Sequence, residues 1–185
     1  ETLAAVVPII NDGADEYAKI GVGKSTGTKL MSACGNINNP GVYEIDMTIS
    51  VEEFIYSDDY CGGIANGKKL KASIPGGSSV PILPANLLLT TAKGEKRLMN
   101  YESLSDGGFA TGSMMGSGGF IVLDENQCVV KHTYTLARFY RHESCGQCSP
   151  CREGTGWMEK ILLNRDNGKG RISAIDLIWD IQRKM

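Results

Sequence analysis

Three cysteines fall within the short stretch SCGQCSPC: Cys145, Cys148 and Cys151. A Cys-x2-Cys spacing lets two thiolates turn toward one centre, and a third at the same spacing extends them into a cradle. Gly146 permits unusual backbone angles, and Pro150 stiffens the approach to Cys151. Iron–sulfur clusters use such thiolate sets. Zinc more often takes two separated pairs of Cys or His, and a disulfide would leave one thiol over. The spacing favours an iron–sulfur cluster, with zinc and redox or structural thiols as the alternatives.

A fourth ligand is not evident. Thr155 stands where the common bacterial ferredoxin run places its next cysteine. His142 is near in sequence, but a histidine at a helix end more often serves as a charge on the last turn. Cys128 is weaker still, because a helix between it and Cys145 would hold the two about 25 Å apart. Cys34, Cys61 and Cys128 are scattered, so the six cysteines do not resemble a disulfide framework. They read as reduced thiols in a reducing compartment.

The bulk composition excludes several classes. The chain of 185 residues is 42% hydrophobic and 22% charged, ordinary for a globular protein. A net charge of −2 argues against nucleic acid or an anionic membrane as partner. No apolar run approaches the roughly 20 residues that span a bilayer, so no direct membrane insertion is expected. ETLAAVVPII lacks the basic start of a signal peptide. It also lacks an initiator Met, and the chain is expected to begin inside a longer protein.

The elements that must position the thiols can be read in order. Leu3, Val6, Val7, Ile10, Tyr17 and Ile20 predict one or two short helices broken near NDG at 11–13. GVGKSTG at 21–27 contains GKS but lacks the upstream strand and first glycine of a phosphate loop, which excludes an NTPase. Residues 27–50 predict a hairpin turning at NNPG, with Leu30, Ser32 and Cys34 alternating with Met31, Ala33 and Gly35. Ser50 and Glu53 predict a capped helix start. KKLKASIPGG and FIVLD predict further strands, and SDGGFATGSMMGSGGF predicts tight turns packed under a neighbour. Helical periodicity dominates only after residue 125: over 126–144, over 152–170, and over 173–185 with Ser173 and Asp176 as an N-cap pair. The last helix is expected to run to the end of the chain without a C-cap. The fold class is α+β, a β-grasp-like domain followed by a helical domain.

With these pieces placed, ESCGQCSPCREGTGW at 143–157 resembles the cluster-binding segment of one family, the flavin-carrying, NADH-binding subunits of respiratory complex I. ETL at 1–3, CGNINNPGVYE at 34–44, PGGSSVPIL at 75–83 and SMMGSGGFIVLDE at 113–125 are similar to that family as well. The resemblance covers essentially the whole chain but only the C-terminal half of the family. Related chains occur in NAD-linked hydrogenases and formate dehydrogenases.

The resemblance implies residues 1–26 as the tail of an FMN- and NADH-binding domain, 27–125 as a β-grasp-like domain and 126–185 as a helical 4Fe–4S domain. It implies a 4Fe–4S cluster on Cys145, Cys148 and Cys151, with a fourth cysteine beyond Met185. The parent activity would be NADH:quinone oxidoreduction, with electrons passing from NADH through FMN to the cluster and on to quinone. The flavin and nicotinamide loop belongs to the family's other half. Thr2 is therefore the one residue here matched to the flavin site, no residue is assigned hydride transfer, and these residues alone are not expected to be catalytically competent. The implied partners are a 2Fe–2S thioredoxin-like subunit and a large multi-cluster subunit, at the cytoplasmic or matrix face of an energy-transducing membrane. Arg138, Arg141, Arg152 and Lys160 would either raise the cluster's potential or form a solvated charged face. The alternative from another class is a β-grasp scaffold module with a zinc or structural thiol site.

Overall fold

The NDG turn divides the first segment as its composition predicts. Helix α1 spans Thr2–Asp12 and α2 spans Ala14–Tyr17, with Gly13 between them at φ +98°. This computed structural model describes residues 2–185, apart from the side chain of Phe109; Glu1, the first residue of the ETL stretch, lies outside the described residues. The chain divides into two compact units, one ending at Asn126 and one beginning at Gln127.

In the first unit, GVGKSTG folds into a tight hairpin of β1 (Gly21–Val22) and β2 (Ser25–Thr26). The chain then enters a strand, β3 (Thr28–Gly35), rather than the helix a phosphate loop requires. β3 turns back at NNPG into β4 (Gly41–Asp46), the predicted hairpin. Its alternation sets its faces: Met31 and Ala33 are buried, while Leu30 and Cys34 are exposed. Ser50 caps α3 (Val51–Tyr56) by accepting the Glu53 backbone N–H at 3.0 Å. Strands β5 (Leu70–Ile74) and β6 (Leu83–Pro84) follow.

Three short helices come next: α4 (Ala85–Leu89), α5 (Tyr101–Ser105) and α6 (Gly108–Thr111). The sequence did not announce them, because one turn of helix carries no readable period. Strand β7 (Gly119–Asp124) closes the sheet in the order β4-β3-β7-β5-β6. β3 and β7, the first and last strands, lie parallel at its centre, and the other pairings are antiparallel. Phe54 of α3 packs edge-to-face on Phe120 of β7 with centroids 5.1 Å apart, and Met31, Ile55 and Val122 fill the space around them.

Close approach explains particular glycines. A Cβ on Gly35 would meet the Val122 carbonyl oxygen at 2.2 Å, and Gly35 itself sits at φ +98°. A Cβ on Gly76 would collide with the backbone at Met114. The glycine-rich stretch over 105–120 packs as closely, since a Cβ on Gly116 would meet the Gly76 carbonyl oxygen at 2.1 Å, but it is not all turn, contrary to the sequence expectation: Gly108–Thr111 form α6.

The second unit contains α7 (Val129–Glu143), α8 (Ser149–Asp166) and α9 (Ala174–Gln182). α8 begins earlier than the periodicity predicts and takes in Cys151, because Pro150 in its first turn lacks only an N–H that no helical carbonyl needs. Gly154 lets α9 approach α8: a Cβ there would stand 3.3 Å from Ile181 Cγ2. Arg141 of α7 reaches Glu159 of α8 at 2.5 Å. Two expectations for the last helix fail. Ser173 is itself helical, at φ −58° and ψ −16°, and its side chain makes no capping bond. The helix also ends inside the chain, where the Arg183 N–H reaches the Ile181 and Trp179 carbonyls.

Candidate metal centre

The cysteine stretch is the hinge between two helices. α7 stops at Glu143 because Ser144 turns extended, at φ −60° and ψ 128°. Gly146 then takes φ +75°, a conformation that glycine adopts without steric cost. Cys148 is the N-cap of α8 and Cys151 lies in its first turn, so one helix start presents both. Cys145 lies on the loop before them. The Thr155 hydroxyl donates to the Cys151 carbonyl at 2.8 Å, which ties the turn to the buried side of α8.

Cys145 and Cys148 are exposed and Cys151 is half-buried; all three are free thiols. Among the described residues, no group of three or more His, Cys, Asp or Glu side chains stands close enough to hold a metal ion. The loop thus brings the three thiols to one end of one helix without converging them. Binding of a metal or cluster supplies the energy that gathers ligands into such a site. The donor set fits an iron–sulfur cluster, with three soft sulfur ligands on a loop with little side-chain bulk. An anionic cluster there would also meet the positive end of the α8 dipole.

The other candidates stay apart. His142 is 85% exposed, with a ring nitrogen 3.9 Å from Glu143. His132 contacts Gln127. Cys128 is the N-cap of α7, at the far end of that helix from Cys145. In the first unit, Cys34 is exposed and Thr2 opens α1 at the surface. Burial pushes the Cys61 thiol up to about 12, so it stays protonated and inert.

Of the basic residues noted around the cysteines, Arg141 is held by Glu159, whose hydrogen bond raises the guanidinium's pKa. Arg138, Arg141, His142 and Glu159 line an open cleft of about 380 Å³. Arg152 turns back onto the cysteine loop, with Nη1 donating to the Gly146 carbonyl at 2.8 Å. The sequence offered no sign of this contact beyond the position of an arginine next to Cys151. It gave still less warning of Arg97 in the first unit. That side chain is fully buried and donates to the carbonyls of Leu87, Ser103, Leu104 and Thr111. Burial lowers its pKa, and the charge of Asp106 partly offsets this.

Residues 131–185 match the NADH-ubiquinone oxidoreductase-F iron-sulfur binding region. The whole chain is 40% identical to the F subunit of the NADH-quinone oxidoreductase of Rickettsia bellii, covering 42% of that protein. It is 39% identical to the mitochondrial NADH-ubiquinone oxidoreductase 51 kDa subunit of Neurospora crassa, covering 35% of it. Among solved structures, a chain of an NAD+-reducing [NiFe]-hydrogenase in its H2-reduced state superposes over all of this chain with a TM-score of 0.78 at 26% identity, and 28% of that chain is covered. The chain thus spans about two fifths of the length of the curated relatives it matches.

Proposed function

We propose that this chain, homologous along its whole length to part of the NADH-quinone oxidoreductase F subunit, is the cluster-carrying part of such a subunit and holds a 4Fe–4S cluster on Cys145, Cys148 and Cys151. The observation that carries this reading is the coincidence of the matched iron-sulfur region with three free thiols at one helix start. A cluster bound there would accept and pass on one electron at a time. The chain's own contribution is ligation by the three sulfurs and orientation of the loop by Gly146 and Pro150. The end of α8 adds a favourable electrostatic field.

In this reading the first unit is a β-grasp-like domain over 27–125. Its parallel central pair of first and last strands, with a helix after the opening hairpin, supports that assignment. Residues 126–185 are the helical cluster domain, and residues 1–26 belong with an FMN- and NADH-binding domain, with Thr2 on its flavin side. The electrons would come from NADH through FMN and leave toward quinone through a 2Fe–2S thioredoxin-like subunit and a large multi-cluster subunit. Among the described residues no helix is long and apolar enough to cross a membrane. In the same reading the subunit sits at the cytoplasmic or matrix face of an energy-transducing membrane, reached through partners.

The hydrogenase likeness favours a second reading, the diaphorase subunit of an NAD-linked hydrogenase. The match of residues 131–185 to the NADH-ubiquinone oxidoreductase-F iron-sulfur binding region, with 40% identity to a quinone oxidoreductase chain, favours the first reading.

Anaerobic reconstitution with ferrous iron, sulfide and excess dithiothreitol tests the ligands. The small thiol can fill a coordination position that the loop does not supply. The expected product is brown, contains iron and sulfide, and gives an electron paramagnetic resonance signal on reduction. Cys148→Ser should lose it, since a hydroxyl is a poor iron ligand at neutral pH. A colourless wild-type chain that takes up one zinc and no iron would overturn the reading.

A further inference from the structure

We propose that Ser144 and Arg152 are positioning residues for the cysteine loop: Arg152 fixes the backbone between Cys145 and Cys148, and Ser144 donates a hydrogen bond to Cys151 Sγ that raises the reduction potential of the cluster. This rests on the cluster reading above.

The geometry pins one residue from both sides. The Gly146 N–H donates to Ser144 Oγ at 3.3 Å. The Gly146 carbonyl accepts from Arg152 Nη1 at 2.8 Å. Arg152 Nη2 reaches Ser149 Oγ at 3.3 Å, so one guanidinium spans the loop from Gly146 to the first residue of α8. A single exposed contact of this kind would count for little. Here a planar fork makes two contacts to two ends of one loop, and the shorter is charge-assisted. Its chain neighbours apart, only the Arg152 side chain among the described residues comes within 4 Å of where a Gly146 Cβ would stand, at 3.9 Å, an ordinary contact, so the loop is held by these hydrogen bonds and not by enclosure.

Ser144 acts on the sulfur. Its Oγ lies 3.4 Å from Cys151 Sγ. A hydroxyl has one proton and two acceptor sites. The Gly146 N–H occupies one acceptor site, which leaves the second acceptor site and the proton, so in the metal-free chain either Ser144 or the Cys151 thiol can donate. A cysteine bound to iron has no S–H to give, so in the loaded site Ser144 must be the donor. Hydrogen bonds to cluster sulfurs stabilise the reduced, more negative state. Arg152 also carries a positive charge, but Glu153 meets its Nε at 3.0 Å and offsets much of it. Arg152 therefore acts chiefly through geometry and Ser144 chiefly through potential.

The two roles separate experimentally. In the metal-free chain, Arg152→Gln should speed amide hydrogen exchange at Gly146 and Cys148 several-fold with unchanged far-ultraviolet circular dichroism. Arg152→Lys should recover part of the protection. Ser144→Ala should change the alkylation rate of Cys151 and leave that of Cys145 as it was. In the reconstituted chain, Ser144→Ala should shift the midpoint potential in the negative direction, and Ser144→Thr, which keeps the hydroxyl, should restore it. Arg152→Gln should release iron about tenfold faster, the usual scale for losing an outer-shell partner. Unchanged exchange in Arg152→Gln together with an unchanged midpoint in Ser144→Ala overturns the proposal. If the wild-type chain takes up no iron, the cluster reading is what fails, and the exchange and alkylation results still decide whether these two residues hold the loop.

Discussion

One glycine from each unit shows two uses of backbone freedom. In the first unit Gly35, at positive φ, lies against the Val122 carbonyl. In the second, Gly146 has the same positive φ but open space around it, with Arg152 alone nearby among the described residues. The cysteines Cys61 and Cys145 differ likewise: Cys61 is sealed in the core with Phe54 and Ile64, whereas Cys145 and Cys148, like Cys34 of the first unit, face solvent. The sheet unit has a core of large fully buried side chains. Unit two buries Ala137, Leu162 and Ile181 and leaves Trp157 and Trp179 more than half exposed. A packed sheet supplies rigidity, and an under-packed helical end supplies reactive sulfur that can still move to meet a ligand.

The largest effect that sharpens this contrast comes from the core. Phe54→Ala removes the ring between Phe120, Tyr43 and Tyr60 and should cost about 3–5 kcal/mol. Both tryptophans lie in the helical unit, so fluorescence reports that unit while circular dichroism reports both. A stability loss seen by circular dichroism, larger than any seen by fluorescence, would bear out the division. Equal losses by both probes would break it.

Next in size is Arg97→Met. The replacement fills much of the same volume but strands buried carbonyls of Leu87, Leu104 and Thr111. Unsatisfied buried acceptors make this worth about 3 kcal/mol or more. Chemical denaturation checks it; a variant as stable as the parent would mean that α4, α5 and α6 hold themselves.

Arg97 also marks the limit of what the sequence disclosed. The Ser50 cap, the hairpin at NNPG, strand β7 and the order of α7, cysteines and α8 were legible, because each is encoded by residues adjacent in the chain. α4 to α6 were not. Their ends are fixed by one arginine that gathers carbonyls up to fourteen positions away, and such a centre has no local pattern. Ser173 failed for the complementary reason. Serine followed three residues later by an acid is a capping pattern only where the backbone turns extended, and here Ser173 itself already has helical φ and ψ. At the site, spacing disclosed which thiols belong together, but the loop's hydrogen bonds to Ser144 and Arg152 depend on how α8 starts.

A matched pair of glycine substitutions comes third. Gly35→Ala must relieve both a positive φ and a 2.2 Å clash with backbone, whereas Gly146→Ala carries only the φ penalty, about 1 kcal/mol. Gly35→Ala should therefore lower the unfolding midpoint clearly more than Gly146→Ala. Equal effects would mean that the cysteine loop is as tightly enclosed as the sheet.

The smallest effect is a pH dependence carried by Cys61, and its sign follows from burial. Desolvation raises the folded thiol from 9.0 to about 12. Between those values the native chain keeps a proton that the unfolded chain has lost. The native state thus binds more protons, and stability must fall as pH rises through this window. Cys61's contribution is present in full below pH 9 and declines above it, by about 1 kcal/mol at one unit above the unfolded value. Cys61→Ala lacks the thiol and should lose less stability between pH 8 and pH 10 than the parent does, whatever the constant cost of its cavity. Denaturation at the two pH values, followed by circular dichroism, measures both chains. Parallel slopes for the parent and Cys61→Ala would show that the sheet unit admits water to its buried sulfur, and the contrast between sealed and open cysteines would fall with it.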